Sequence, residues 1–111
     1  MDEFENNELI SVAMQIILRA GDARNCAFDA LKSAKAFDFE TADQLMKEAE
    51  ENILAAHKSQ TTIIQNEASG DSYDYCLLFT HAQETRMTIN SEIKLTYELI
   101  DILKMMKEKL G

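Results

Sequence analysis

The chain contains two histidines, His57 and His81, and both sit among polar residues at helical spacing. On a helix, His81, Glu84, Thr85 and Thr88 fall at i, i+3, i+4 and i+7 and share one face. A nucleophilic imidazole thus stands beside a carboxylate and two hydroxyls, on a stripe that otherwise carries core residues. His57 aligns in the same way with Gln60, Thr61 and Ile64. A zinc site built from His57, His81 and Glu84 would draw on two helices without any recognised zinc spacing. Ser–His–Asp or Cys–His catalysis cannot be assigned from so few residues, and the chain has no glycine-rich phosphate loop.

Structural readings stand beside these chemical ones. His81 could be a hydrogen-bonded core histidine, or its stripe could be the exposed side of the helix. For His57, a hydrogen bond between helices is the commoner role. Polar groups inside a bundle are costly unless paired, so each must find a partner or face water.

The elements that position these residues are helices. The chain has no proline, and glycine occurs only at Gly21, Gly70 and Gly111. So few breakers favour long helices. The first is expected from about Phe4 to Ala36, with Leu9, Ala13, Ile16, Ile17, Ala20, Ala27, Phe28, Leu31 and Ala34 at helical spacing. Gly21 interrupts this pattern at a cost of about 1 kcal/mol and would let a neighbouring helix come close. Phe37-Asp38 reads as a short connection in which Asp38 caps the next helix, with Glu40 and Asp43 near its positive end. That helix runs to about Glu67, its inner face traced by Phe39, Ala42, Leu45, Met46, Ala49, Ile53, Ala56, Gln60 and Ile64. Ala68 to Ser72 is a loop. The third helix is expected from Tyr73 or Asp74 to about Lys109, with Leu78, Thr85, Ile89, Ile93, Thr96, Ile100, Leu103 and Met106 along its stripe. Residues 1–111 therefore read as one domain, an all-α antiparallel three-helix bundle with short connections.

Composition narrows the function. The net charge is −9, with 20 acidic and 11 basic residues, which repels nucleic acid and anionic membrane. No apolar run approaches the roughly 20 residues of a membrane span. The acidic start MDEFENNE does not resemble a signal peptide. Cys26 and Cys76 lack a paired spacing and read as small, reduced, buried hydrophobes. The chain is expected to be cytoplasmic, with no nucleic-acid partner and no direct membrane insertion. Long helices in so small a chain leave apolar surface over, which favours self-association.

The order and spacing of several fragments resemble one family across most of the chain. They are Ala20-Gly21-Asp22-Ala23-Arg24, Phe37 to Ala42, Ala56-His57-Lys58-Ser59-Gln60-Thr61, Ile64 to Gly70, His81-Ala82-Gln83 and Met87-Thr88. The chain resembles the IIA proteins of lactose-, cellobiose- and chitobiose-type sugar phosphotransferase systems. The resemblance implies a three-helix bundle assembled as a homotrimer. It implies that His81 accepts a phosphoryl group from the phosphocarrier HPr and passes it to a cysteine of a IIB component, during uptake of a β-linked disaccharide, with Gln83 beside the acceptor in the motif. The family's aspartate, matched by Glu84, gathers near the trimer axis with a divalent ion, so Glu84 would hold Mg2+ there. The sequence departs from the family at Glu84, Thr85 and Arg86, where aspartate, histidine and leucine are usual. The competing readings are a non-enzymatic helical interaction module and a metal-binding bundle, each with a structural His81.

Phosphoryl transfer between protein nucleophiles asks the site mainly for positioning and charge stabilisation. With the third helix starting at Tyr73 or Asp74, His81 lies roughly two turns inside it, beyond its free amides. Gln83, Thr85 and Thr88 are then the local donors, and few fixed cations leave phosphohistidine modestly stabilised. Three copies of Glu84 at an axis would repel unless metal, protonation or Arg86 relieved them.

Overall fold

The computed structural model describes residues 3–70 and 76–111, with side chains from Glu8 onward. Three helices follow one another: α1 (Glu3–Lys35), α2 (Phe39–Ala68) and α3 (Leu77–Leu110). Successive helices run antiparallel, so α1 and α3 run parallel. The expected start of α3 at Tyr73 or Asp74 lies outside the described residues, as does the end of the loop at Asp71-Ser72. Cys76, however, has extended backbone (φ −130°, ψ 111°), so α3 itself begins at Leu77.

Small residues set the packing. Ala13, Ala20, Ala23, Ala30 and Ala34 of α1 and Ala42, Ala49 and Ala56 of α2 are fully buried. Alanines three, four or seven residues apart let the two helix backbones approach closely, and alanine is the best helix former. α1 packs along both other helices, while α2 and α3 touch each other least. The core divides in two. Leu9, Ala13, Ile16, Ala56, Ile63, Phe79 and Ala82 fill the end near the start of α3. Ala20, Ala23, Ala27, Ala30 and Ala34 of α1 and Ala42 and Ala49 of α2 pack with Met46, Ile53, Ile89, Ile93 and Ile100 in the other half.

The α1–α2 turn is built as expected in one respect and not in another. Asp38 caps α2, accepting from the Thr41 amide at 3.2 Å. Phe37 takes a left-handed backbone (φ 62°), closed by Asp38 N–H to Ser33 and Phe37 N–H to Ala34 bonds of 2.9 Å each. This is the helix ending that glycine usually makes. Lys107 lies 5.2 Å over the Phe37 ring and holds the phenylalanine in place.

Several expected inner residues face outward. Phe28 is 55% exposed and Met106 51%. Ile64 yields its inner place to Ile63, and Phe79 and Ala82 join the core of α3. Gly21 serves no close approach within the chain: a Cβ there would meet nothing within 4 Å.

Candidate functional site

The site begins where α3 begins. Thr80 N–H closes the first turn onto the Cys76 carbonyl at 3.1 Å, and the Cys76 side chain makes no capping bond. The amides of Leu77, Leu78 and Phe79 precede that first bond and have no partner within the helix. His81 therefore sits one turn inside α3, not two, about 6 Å along the axis from Leu77. Helical side chains tilt toward the N-terminus, so the imidazole leans toward those amides. The expectation that they lie out of reach is corrected, because the extended backbone at Cys76 shortens the helix at its start.

His81 is exposed. It lines an open concavity of about 580 Å³ with Leu77, Leu78, Thr80 and Glu84. The apolar rim is wide open, with Leu77 71% exposed. A group carried by another protein can reach the ring, and a negative charge placed on it would lie near the positive end of the helix dipole. The reading of His81 as a buried, satisfied core histidine is excluded.

Glu84 and Thr88 are exposed on the same side of α3, and Thr85 is half-buried. Gln83, two residues from His81, projects about 200° round the helix and shares no cavity with it in one chain. Arg86 turns toward α2, where its Nε donates to Gln60 Oε1 at 2.7 Å. Gln60 is buried, so this bond satisfies an amide that would otherwise be costly. Within one chain Arg86 is thereby held toward α2 and away from Glu84.

His57 is also exposed and lines a different groove, between α2 and α3, together with Arg86. The two histidines share no cavity. Among the described residues no three of His, Cys, Asp and Glu gather closely enough to hold a metal, so the His57–His81–Glu84 zinc set does not form within one chain. Both cysteines are free and half-buried rather than fully buried. Burial, with Glu48, Asp22 and Asp29 nearby, pushes the Cys26 thiol up, which suppresses the thiolate and its reactivity.

The polar stripe of His81, Glu84 and Thr88 continues into an apolar one. Leu95, Leu99, Ile102 and Met106 follow at spacings of four, three and four and are all exposed. That spacing was available in the sequence, but the inner-face stripe one helix side away carries the same period. Leu77 and Thr80, which line the concavity, carry no residue-type signal of that role in the sequence.

The whole chain is similar to known proteins. The profile of the lactose/cellobiose-specific IIA subunit of the phosphotransferase system matches residues 11–104. The lichenan-specific phosphotransferase enzyme IIA component of Bacillus subtilis is 35% identical, over 96% of each chain. The crystal structure of the cellobiose-specific enzyme IIA from Bacillus anthracis superposes with a TM-score of 0.85 at 37% identity, covering 89% of this chain and 91% of that one. The chitobiose IIA protein of Escherichia coli, solved in complex with HPr, superposes with a TM-score of 0.78 at 34% identity, over 89% and 96% of the two chains. With this profile spanning most of the sequence and these folds superposing along its length, the chain belongs to the lactose/cellobiose-specific IIA family of the sugar phosphotransferase system.

Proposed function

We propose that His81 is the phosphoacceptor of this IIA protein, taking a phosphoryl group from phospho-HPr and delivering it to a cysteine of a IIB component. The observation that carries this is the exposed imidazole of His81, one turn into α3 at an open concavity. In the first step a ring nitrogen of His81 forms a bond to phosphorus as the donor's phosphorus–nitrogen bond breaks in line. In the second, the IIB thiolate attacks phosphorus and the His81 bond breaks, returning the neutral ring. The first-turn amides of α3 and its dipole favour the added charge. Among the described residues no lysine or arginine lines the concavity, so the phosphoryl group is held only modestly, as a carrier requires. Gln83 is assigned to the site through the family motif. Its place on the other side of α3 suits a contact with a docked partner or a second copy.

The assembly we propose is a homotrimer along the outer stripe of α3. The exposed residues Leu95, Leu99, Ile102 and Met106 repeat as in a coiled-coil seam and support this. His81 and Glu84 lie on the continuation of that stripe. Three Glu84 carboxylates converging there would repel, and Mg2+, which prefers oxygen ligands, would relieve them. The ion's part would be charge neutralisation at the axis. Relatives named for lichenan, cellobiose and diacetylchitobiose support a β-linked saccharide as the transported sugar. No described helix is long and apolar enough to cross a membrane, in keeping with a cytoplasmic carrier.

Incubation with phosphorylated HPr tests the assignment: the native protein acquires one acid-labile phosphoryl group per chain, and a His81→Ala variant none. Native protein that stays unlabelled, or a labelled variant, overturns it. Sedimentation together with metal analysis before and after chelation tests the trimer and its ion.

A further inference from the structure

The groove between α2 and α3 lies on the side of α3 away from His81, and the transfer steps above make no use of it. It encloses about 520 Å³ and brings together Arg86, Lys94 and His57, with Asn90, Tyr97 and Glu50. Three cation-bearing or nitrogen-donor side chains in one groove run against the grain of a chain of net charge −9. Glu50, the one acid lining it, accepts from the Tyr97 hydroxyl, and burial together with that bond pushes the Tyr97 phenol up to about 12.

Arg86 is the most organised member. Its Nε bond to buried Gln60 fixes the plane of the guanidinium. That bond leaves the Nη fork uncommitted, and a fixed fork matches phosphate oxygens bidentately. Lys94 supplies a second positive charge, and His57 another nitrogen from the opposite wall.

We propose that this groove binds a small sugar phosphomonoester, with Arg86 anchoring the phosphate. The phosphate would sit against Arg86, Lys94 and His57. Asn90 and the Tyr97–Glu50 pair offer donors and acceptors to hydroxyl groups, and Ile53 and Ile93 line the groove with apolar surface against which a ring face can rest. The volume suits a ligand of monosaccharide size. The binding stands independently of phosphorylation at His81.

Titration of the full-length protein with glucose 6-phosphate, glucose and inorganic phosphate, followed by amide and arginine Nε NMR, tests this. Glucose 6-phosphate is expected to shift the Arg86 Nε–H and the Asn90 and Lys94 amides saturably, inorganic phosphate to shift them more weakly, and glucose not at all. Arg86→Leu should weaken glucose 6-phosphate binding roughly tenfold or more, while labelling of His81 by phospho-HPr continues. Should loss of the Gln60 partner loosen that variant, Lys94→Gln carries the test, with a roughly threefold weakening. Absence of saturable shifts in the native protein, equal shifts with glucose, or native affinity in both variants overturns the proposal.

Discussion

The two halves of the bundle treat their side chains in opposite ways. Toward the α1–α2 turn, charges are paired and the backbone ends are closed: Lys104 meets Asp43 at 3.0 Å, Arg24 meets Glu92, Asp38 caps α2 and Lys107 covers Phe37. At the start of α3 the Cys76 side chain makes no cap, Leu77 is exposed and His81 lines an open concavity. The closed half supplies stability through alanine packing. The open half leaves an exposed imidazole and helix amides unspent. A carrier needs that division, because the group that accepts phosphate must be undefended while its helix stays rigid.

The sharpest way to break this contrast is to remove the exposed ring of His81. His81→Ala is expected to abolish phosphoryl acceptance entirely, while the unfolding free energy changes by less than about 0.5 kcal/mol, as for an exposed side chain with no hydrogen-bond partner among the described residues. Acid-labile labelling and thermal unfolding monitored by circular dichroism check both halves of the claim. A large loss of stability would mean that His81 holds structure after all.

A matched pair of truncations tests the packing side. Ile100, fully buried in the closed half, should cost about 2–5 kcal/mol on replacement by alanine. Leu77→Ala, at the exposed rim, should cost less than about 0.5 kcal/mol. Urea unfolding measures both. Comparable losses would show that the open half is closed by contacts in solution.

Most of the fold was legible in the sequence because it rests on local signals. The absence of proline, the alanine periodicity of α1 and α2 and the Asp38 cap each act within a few residues, and all three appear as expected. The start of α3 was not legible, because nothing in Tyr73-Asp74-Tyr75-Cys76 breaks a helix, and extended backbone at Cys76 has no residue-type signature. That single boundary moved His81 from two turns inside the helix to one. Facing was the other weak point. Phe28 and Met106 are apolar at helical spacing, yet a 3.6-residue period does not say whether its partner is the same chain or another. Arg86 is one of three candidates, with metal and protonation, to relieve Glu84 at an axis; residues two apart do not share a helix face, and within one chain its Nε bonds Gln60 on α2 instead.

Supplying the missing cap should sharpen the comparison. Cys76→Asp places a carboxylate where it can accept from the first-turn amides of α3, stabilising the protein by roughly 1 kcal/mol. The same charge occupies the dipole end that favours phosphohistidine, so the extent of phosphorylation by phospho-HPr should fall roughly threefold. Cys76→Ser should give a similar gain in melting temperature with little change in labelling. If both variants label alike, the helix end contributes nothing to holding the phosphoryl group.

The groove between α2 and α3 also titrates at high pH. Tyr97 is raised from 10 to about 12, chiefly by burial and by its bond to Glu50. Its neutral form is favoured in the folded state, so this contribution is complete below pH 10. It is lost as the pH rises from 10 toward about 12, where only the unfolded chain releases the proton. The melting temperature should fall across that window, and less so in Tyr97→Phe.

The smallest expected effect concerns the ion pairs that make the closed half look so well tied. Arg24 grips Glu92 with both arms, Nε to Oε1 at 2.7 Å and Nη2 to Oε2 at 3.0 Å. Both side chains are nevertheless about 40% exposed, so water and salt compete with the pair. Glu92→Gln should therefore cost only about 0.5 kcal/mol, and the cost should shrink further in high salt. A double-mutant cycle with Arg24→Gln isolates the pair from packing of the arginine stem. A coupling of several kcal/mol would overturn the view that buried alanine contacts, rather than paired charges, hold α1 against α3.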